Sequence, residues 1–94
     1  MSRIAKTICT QADDIERITR LVTEMPTGEP VRIVERNGQV FTGTVVERPC
    51  VQVFEDVHGT EGINAVVRID DPSAPPWSAE LWLSDIEAVE PLGT

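Results

Sequence analysis

Aromatic and sulfur-bearing residues are scarce in this chain: 94 residues include two tryptophans, two phenylalanines, two cysteines and no tyrosine. So few rings leave little surface on which nucleic-acid bases would stack. Cys9 and Cys50 lie far apart and neither has a C-x-x-C partner, so the spacing signals neither a zinc site nor a redox dithiol. Each reads as a reduced, partly buried thiol. Histidine occurs once, at His58, which excludes an H-x-x-x-H metal pattern. No apolar run approaches membrane-spanning length, and residues 1–10 lack the apolar core of a signal peptide. The expected location is therefore a reducing cytoplasm, with no membrane partner. Internal repeats and low-complexity tracts are missing too.

Positive charge is equally short, and its distribution is lopsided. Residues 1–48 carry Arg3, Lys6, Arg17, Arg20, Arg32, Arg36 and Arg48, balanced by acids, whereas residues 49–94 carry only Arg68 among the basic groups. The net charge of −8 thus belongs to the second half, which repels phosphate backbones and anionic lipids. At this length the chain holds one domain, 1–94, with one modest core and no room for a deep dedicated cleft.

What the sequence does contain is an ordered set of short elements. Ile15, Ile18, Leu21, Val22 and Met25 recur at three- and four-residue spacing and predict a helix over about 11–25. Thr10 and Asp13 suggest a capping arrangement, Asp13/Arg17 and Glu16/Arg20 are spaced as i,i+4 pairs, and Pro26 with Gly28 ends the helix. Its apolar stripe is expected to dock on the protein's own sheet.

The strands begin at Val31. Two apolar runs flank Asn37-Gly38, whose tolerance of positive φ marks a hairpin. Gly43 inside the second run signals a sharp bend or bulge, and Pro49 ends that run or sits at an edge. Further strands are expected near 50–54, 63–70, 79–83 and 86–90, with a polar loop at 55–62, a stiff proline-rich connection at 71–76 and a tight break at Ser84-Asp85. Strand alternation places Ala65, Val67 and Ile69 on one side and Asn64, Val66 and Arg68 on the other. Trp82 or its neighbours Leu81 and Leu83 should be buried, and Trp77 beside Pro75 and Pro76 is read as sealing one end. The expected fold is mainly β with one N-terminal α-helix: a small, strongly bent antiparallel sheet or barrel of five to six strands over about 31–92.

The pattern V-x-I-x-x-x-N-G-x-x-F-x-G-x-V, set by Val31, Ile33, Asn37, Gly38, Phe41, Gly43 and Val45, follows a helix and precedes a closing strand pair. In this it resembles the Sm-like (LSm) small barrel, an SH3-like barrel, and the whole chain is similar to a small uncharacterised bacterial family with a variant of that fold. RNA-binding Sm-like proteins carry an Asp and an Asn after the second strand and a basic turn between the last two. Here those places read Glu47-Arg48-Pro49-Cys50 and Ser84-Asp85, so the resemblance implies a fold, and self-association, rather than RNA contacts.

Three functions follow as expectations. The leading one is a non-catalytic assembly module, a homo-oligomer and most simply a dimer, that pairs its edge strands. The alternative is RNA or single-stranded nucleic-acid binding on a patch of Arg32, Arg36 and Arg48, opposed by Glu35 and Glu47 in the same strands. A metal or enzyme site has its only candidate in the loop from Glu55 to Glu61 with His58, where no ligand motif is present, so no catalytic residue, metal or cofactor is expected.

Overall fold

The computed structural model describes residues 3–71, 73–74 and 77–93. Eight strands and one helix follow the order β1 (Arg3–Ile4), α1 (Ala12–Thr23), β2 (Pro30–Glu35), β3 (Val40–Glu47), β4 (Gln52–Glu55), β5 (Glu61–Asn64), β6 (Val66–Asp70), β7 (Ser78–Trp82), a 3-10 turn (Leu83–Asp85) and β8 (Ile86–Pro91). They form a five-stranded sheet, β7-β6-β3-β2-β8, and a three-stranded sheet, β1-β4-β5. The bent sheet read from the sequence is thus divided in two and does not close into a barrel. The break falls after Glu47, where Pro49 cannot extend a ladder.

α1 forms where the apolar periodicity places it, and Ile18, Leu21 and Met25 are buried. They pack with Val31, Ile33, Val45, Val67, Ile69, Leu83 and Ile86 in one core. Gln11, not Thr10, is the N-cap and makes no side-chain capping bond. Neither i,i+4 pair on the helix closes: among the described residues the one ion pair within 4.0 Å joins Arg32 to Glu90 at 3.9 Å. With both side chains about half exposed, that pair contributes roughly 0–1 kcal/mol.

The hairpin lies where Asn37-Gly38 predicts it, but only Gly38 takes a positive φ, +90°. Gly38 N–H donates to Glu35 O at 2.9 Å and Glu35 N–H to Gln39 O at 2.8 Å. This is a turn closed by a glycine bulge rather than a two-residue turn with both centres at positive φ. Gly43 serves close approach: a Cβ there would lie 2.6 Å from the Asp70 carbonyl oxygen. The bulge itself comes two residues later, as a register shift between Val45 and Glu47 against β6. A second shift, between Val34 and Glu35, leaves Glu87 as the extra residue of β8.

The run 63–70 is two strands in two sheets. β5 pairs with β4, then the chain turns at Ala65 and β6 joins β3 and β7. The alternation holds for buried Ala65, Val67 and Ile69 and fails for Asn64, which is 0% exposed. Leu81 and Leu83 are buried while Trp82 is half-buried. Its ring meets Phe54 edge-on, centroids 5.2 Å apart, where the two sheets adjoin. Trp77 is 40% exposed; its neighbours Pro75 and Pro76, against which it is read as sealing one end, lie outside the described residues, as does Pro72 of the same connection. Cys9 is buried as expected, whereas Cys50 is exposed.

Candidate functional site: sheet edges, arginines and a buried amide

β7 and β8 end the larger sheet, so among the described residues each has one side without a partner strand. Their outward groups follow from the ladder. Asp71 N–H donates to Trp77 O and Leu83 N–H to Ala65 O. Hydrogen-bonded pairs alternate along an antiparallel ladder, so Ala79 and Leu81 direct their N–H groups at β6. Ser78, Glu80 and Trp82 therefore direct theirs at the open edge. On β8, Leu92 N–H donates to Pro30 O, which by the same alternation turns Glu90 and Ala88 inward and Val89 and Pro91 outward. Pro91, lacking an N–H, thus blunts that edge, while β7 keeps its outward donors.

The three arginines singled out from sequence stand in different settings. Arg32 lies on the exposed side of β2, paired with Glu90. Arg48 lines a shallow cleft of about 370 Å³ with Arg68, Glu47, Glu80 and Cys50. Arg36, at the hairpin turn, lines a different cleft of about 380 Å³ with Arg17 and Glu87. No described cleft is lined by more than one of Arg32, Arg36 and Arg48; each of the last two is instead accompanied by an arginine from elsewhere in the chain.

The loop holding His58 is a hairpin turn. One Asp56 carboxylate oxygen accepts the backbone N–H groups of His58 at 2.8 Å and Thr60 at 2.9 Å. Among the described residues no three His, Cys, Asp or Glu side chains come together as metal ligands.

Asn64 is the polar residue that sequence reasoning misplaced. Its amide nitrogen donates to Thr7 O at 2.8 Å and Ser84 Oγ at 2.9 Å. Its oxygen accepts the Ala65 N–H at 2.8 Å and the Ser84 N–H at 3.2 Å. One side chain thereby ties the N-terminal segment, the corner between β5 and β6, and the turn before β8. The clue in the sequence was an amide set inside the apolar run Ile63-Asn64-Ala65-Val66. All its donors and its acceptor are spent internally, so it is a structural clasp with nothing left to read a base.

Titration behaviour is perturbed in two places near the hairpin turn. Burial pushes the Cys9 thiol up, Asp14 adds to this, and Arg17 and Arg36 oppose it, so the thiol stays protonated at neutral pH. Burial also raises the Glu35 carboxyl, and the Asp85 charge adds to it. Because the folded state holds that proton more tightly than the unfolded chain, Glu35 contributes stability below the ordinary glutamate pKa and loses it as pH rises toward the raised value. The expected result is that Glu35→Gln gains thermal stability over the native protein at neutral pH and that the gap closes toward pH 4. Melting both proteins across that range checks it; a gap independent of pH contradicts it.

A strongly bent two-sheet β protein with a leading helix, an N-G hairpin and a 3-10 turn before the last strand is of the Sm-like class. The family model described as a domain of unknown function, DUF3247, matches residues 2–92, and the chain belongs to that family. It is also similar to a solved structure, XC5848 from Xanthomonas campestris, described as adopting a novel variant of the Sm-like motif. The two are 31% identical over 99% of this chain and 100% of that one, with a TM-score of 0.92. No curated protein matches the chain. No helix among the described residues is long and apolar enough to cross a membrane.

Proposed function

We propose that this protein is a non-catalytic assembly module of the bacterial cytoplasm that self-associates by pairing sheet edges, most simply as a dimer. The observation that carries this reading is the β7 edge, whose Ser78, Glu80 and Trp82 N–H groups have no strand among the described residues to receive them. Unprotected edges invite a further strand, and a second copy is always available to supply one. The loop around His58 supports a non-catalytic role, since the Asp56 carboxylate is engaged by backbone donors.

Pairing has a charge penalty that shapes its test. Each copy carries −8, and Glu80 sits midway along β7, so joining two copies brings like charges together. Salt screens such repulsion, so light scattering at micromolar concentration should give a mass above the monomer that rises between low and moderate salt. A strict monomer at every salt and concentration overturns the reading.

A second reading, binding of RNA or single-stranded nucleic acid involving Arg32, Arg36 and Arg48, draws support from the companions of two of them. Arg48 stands with Arg68, and Arg36 with Arg17. Titration of labelled single-stranded RNA at low salt tests it: binding weakened by Arg48→Gln supports it, and its absence removes it.

A further inference from the structure

In an acidic protein, one cleft gathers two guanidinium groups from distant parts of the chain. Arg17 projects from the middle of α1, and Arg36 from the turn after β2, where its backbone N–H is held to Asp85 O at 2.9 Å. Glu87 reaches the same cleft because it is the extra residue of the β8 bulge. An adjoining cleft of about 250 Å³ shares Arg36 and adds Lys6, Asn37, Glu35 and Asp85.

Among the described residues neither arginine has a carboxylate within 4.0 Å, Glu87 included. The two also feel each other: burial lowers the pKa of Arg17, and the Arg36 charge lowers it further, against a smaller opposing effect of Asp14. Like charges held together without an anion between them are stabilised when one enters. Each guanidinium offers a fork of donors, and a phosphate, with more acceptor oxygens and charge than a carboxylate, has enough of both to engage two of them at once.

We propose that the cleft between Arg17 and Arg36 is a phosphate-binding site, with Glu87 as an internal competitor at its rim. The phosphate is that of a small phosphate ester or of a nucleic-acid strand, and the chemistry at the two guanidinium groups is the same. The site stands independently of self-association, it shares Arg36 with the nucleic-acid reading, and inorganic phosphate probes it without any strand.

The test is a titration of the full chain with inorganic phosphate at low ionic strength, followed by NMR of the arginine Nε–H groups. Saturable shifts are expected at Arg17 and Arg36. Arg17→Gln and Arg36→Gln should each weaken binding about tenfold, the loss of one charge-assisted contact. Glu87→Gln should tighten it, and Arg32→Gln should leave it unchanged, since Arg32 pairs with Glu90 and does not line the cleft. A parallel titration with a short thymidine oligonucleotide separates the sources. Strand binding that needs both Arg17 and Arg36 assigns the site to a strand phosphate, and saturation by phosphate without strand binding assigns it to a small ester. Absence of saturable shifts with either probe, or an equal loss in Arg32→Gln, overturns the proposal. Unchanged amide spectra of the variants show that the fold is intact.

Discussion

Replacing Asn64 with leucine should lower the stability of this protein by about 4 kcal/mol, because two buried backbone donors each lose their acceptor at about 1–3 kcal/mol apiece. Those donors are the N–H groups of Ala65 and Ser84, both buried. At about 4–8 °C per kcal/mol for a domain of this size, the melting temperature should fall by about 15–30 °C. Ser84→Ala should be milder, about 1–3 kcal/mol, since it leaves one buried Asn64 donor without its acceptor and keeps the other Asn64 bonds in place. Thermal denaturation of the two variants separates a clasp from an ordinary polar contact. Equal, small losses would show that the network is dispensable.

The next largest effect is expected at Gly43. Any side chain there meets backbone, the Asp70 carbonyl at 2.6 Å, with the Ile69 Cβ at 3.4 Å behind it. A flexible side chain would move aside; a carbonyl in the β3–β6 ladder does not without opening the sheet. Gly43→Ala should therefore cost about 1–3 kcal/mol and Gly43→Val more, in the range of overpacked cores. Gly38 offers the contrast: its added Cβ meets nothing within 4 Å, so the penalty of Gly38→Ala is that of its φ of +90° alone. Denaturant titration should rank Gly43→Val as the least stable of these three variants; a Gly43→Val no less stable than Gly38→Ala contradicts a close approach of β6 to β3.

Local patterns carried the fold as far as local physics reaches. The apolar spacing of Ile18, Leu21 and Met25 placed α1, and the N-G dipeptide placed the hairpin, whereas Gly43 marked a close approach of β6 and the bulge lies two residues beyond it. What the pattern could not reveal is where a continuous run changes sheet. Residues 63–70 alternate without a break, yet β5 and β6 belong to different sheets, and at that corner Asn64 turns into the core against the phase of its neighbours. The two-residue β1, paired in parallel with β4, has too few residues to show any periodicity at all.

The same limit governs the candidate sites. Arg32, Arg36 and Arg48 flank one hairpin in the sequence, but the fold separates them into different settings. Arg17 joins Arg36 only through the docking of α1, and Glu87 only through a bulge, neither of which leaves a mark in sequence spacing. Edge donors are similarly invisible until the strand order is known, because the sequence of β7 reads like that of any short strand.

Glu80→Pro isolates the role of that edge. Position 80 directs its N–H away from β6, so proline removes an outward donor without removing a ladder bond, and edge strands tolerate it. Sedimentation of the native protein and of Glu80→Pro, side by side at the same concentration and moderate salt, should give an oligomer for the first and a monomer with a native-like spectrum for the second. A native monomer, or a proline variant that assembles as the native protein does, would contradict assembly through β7.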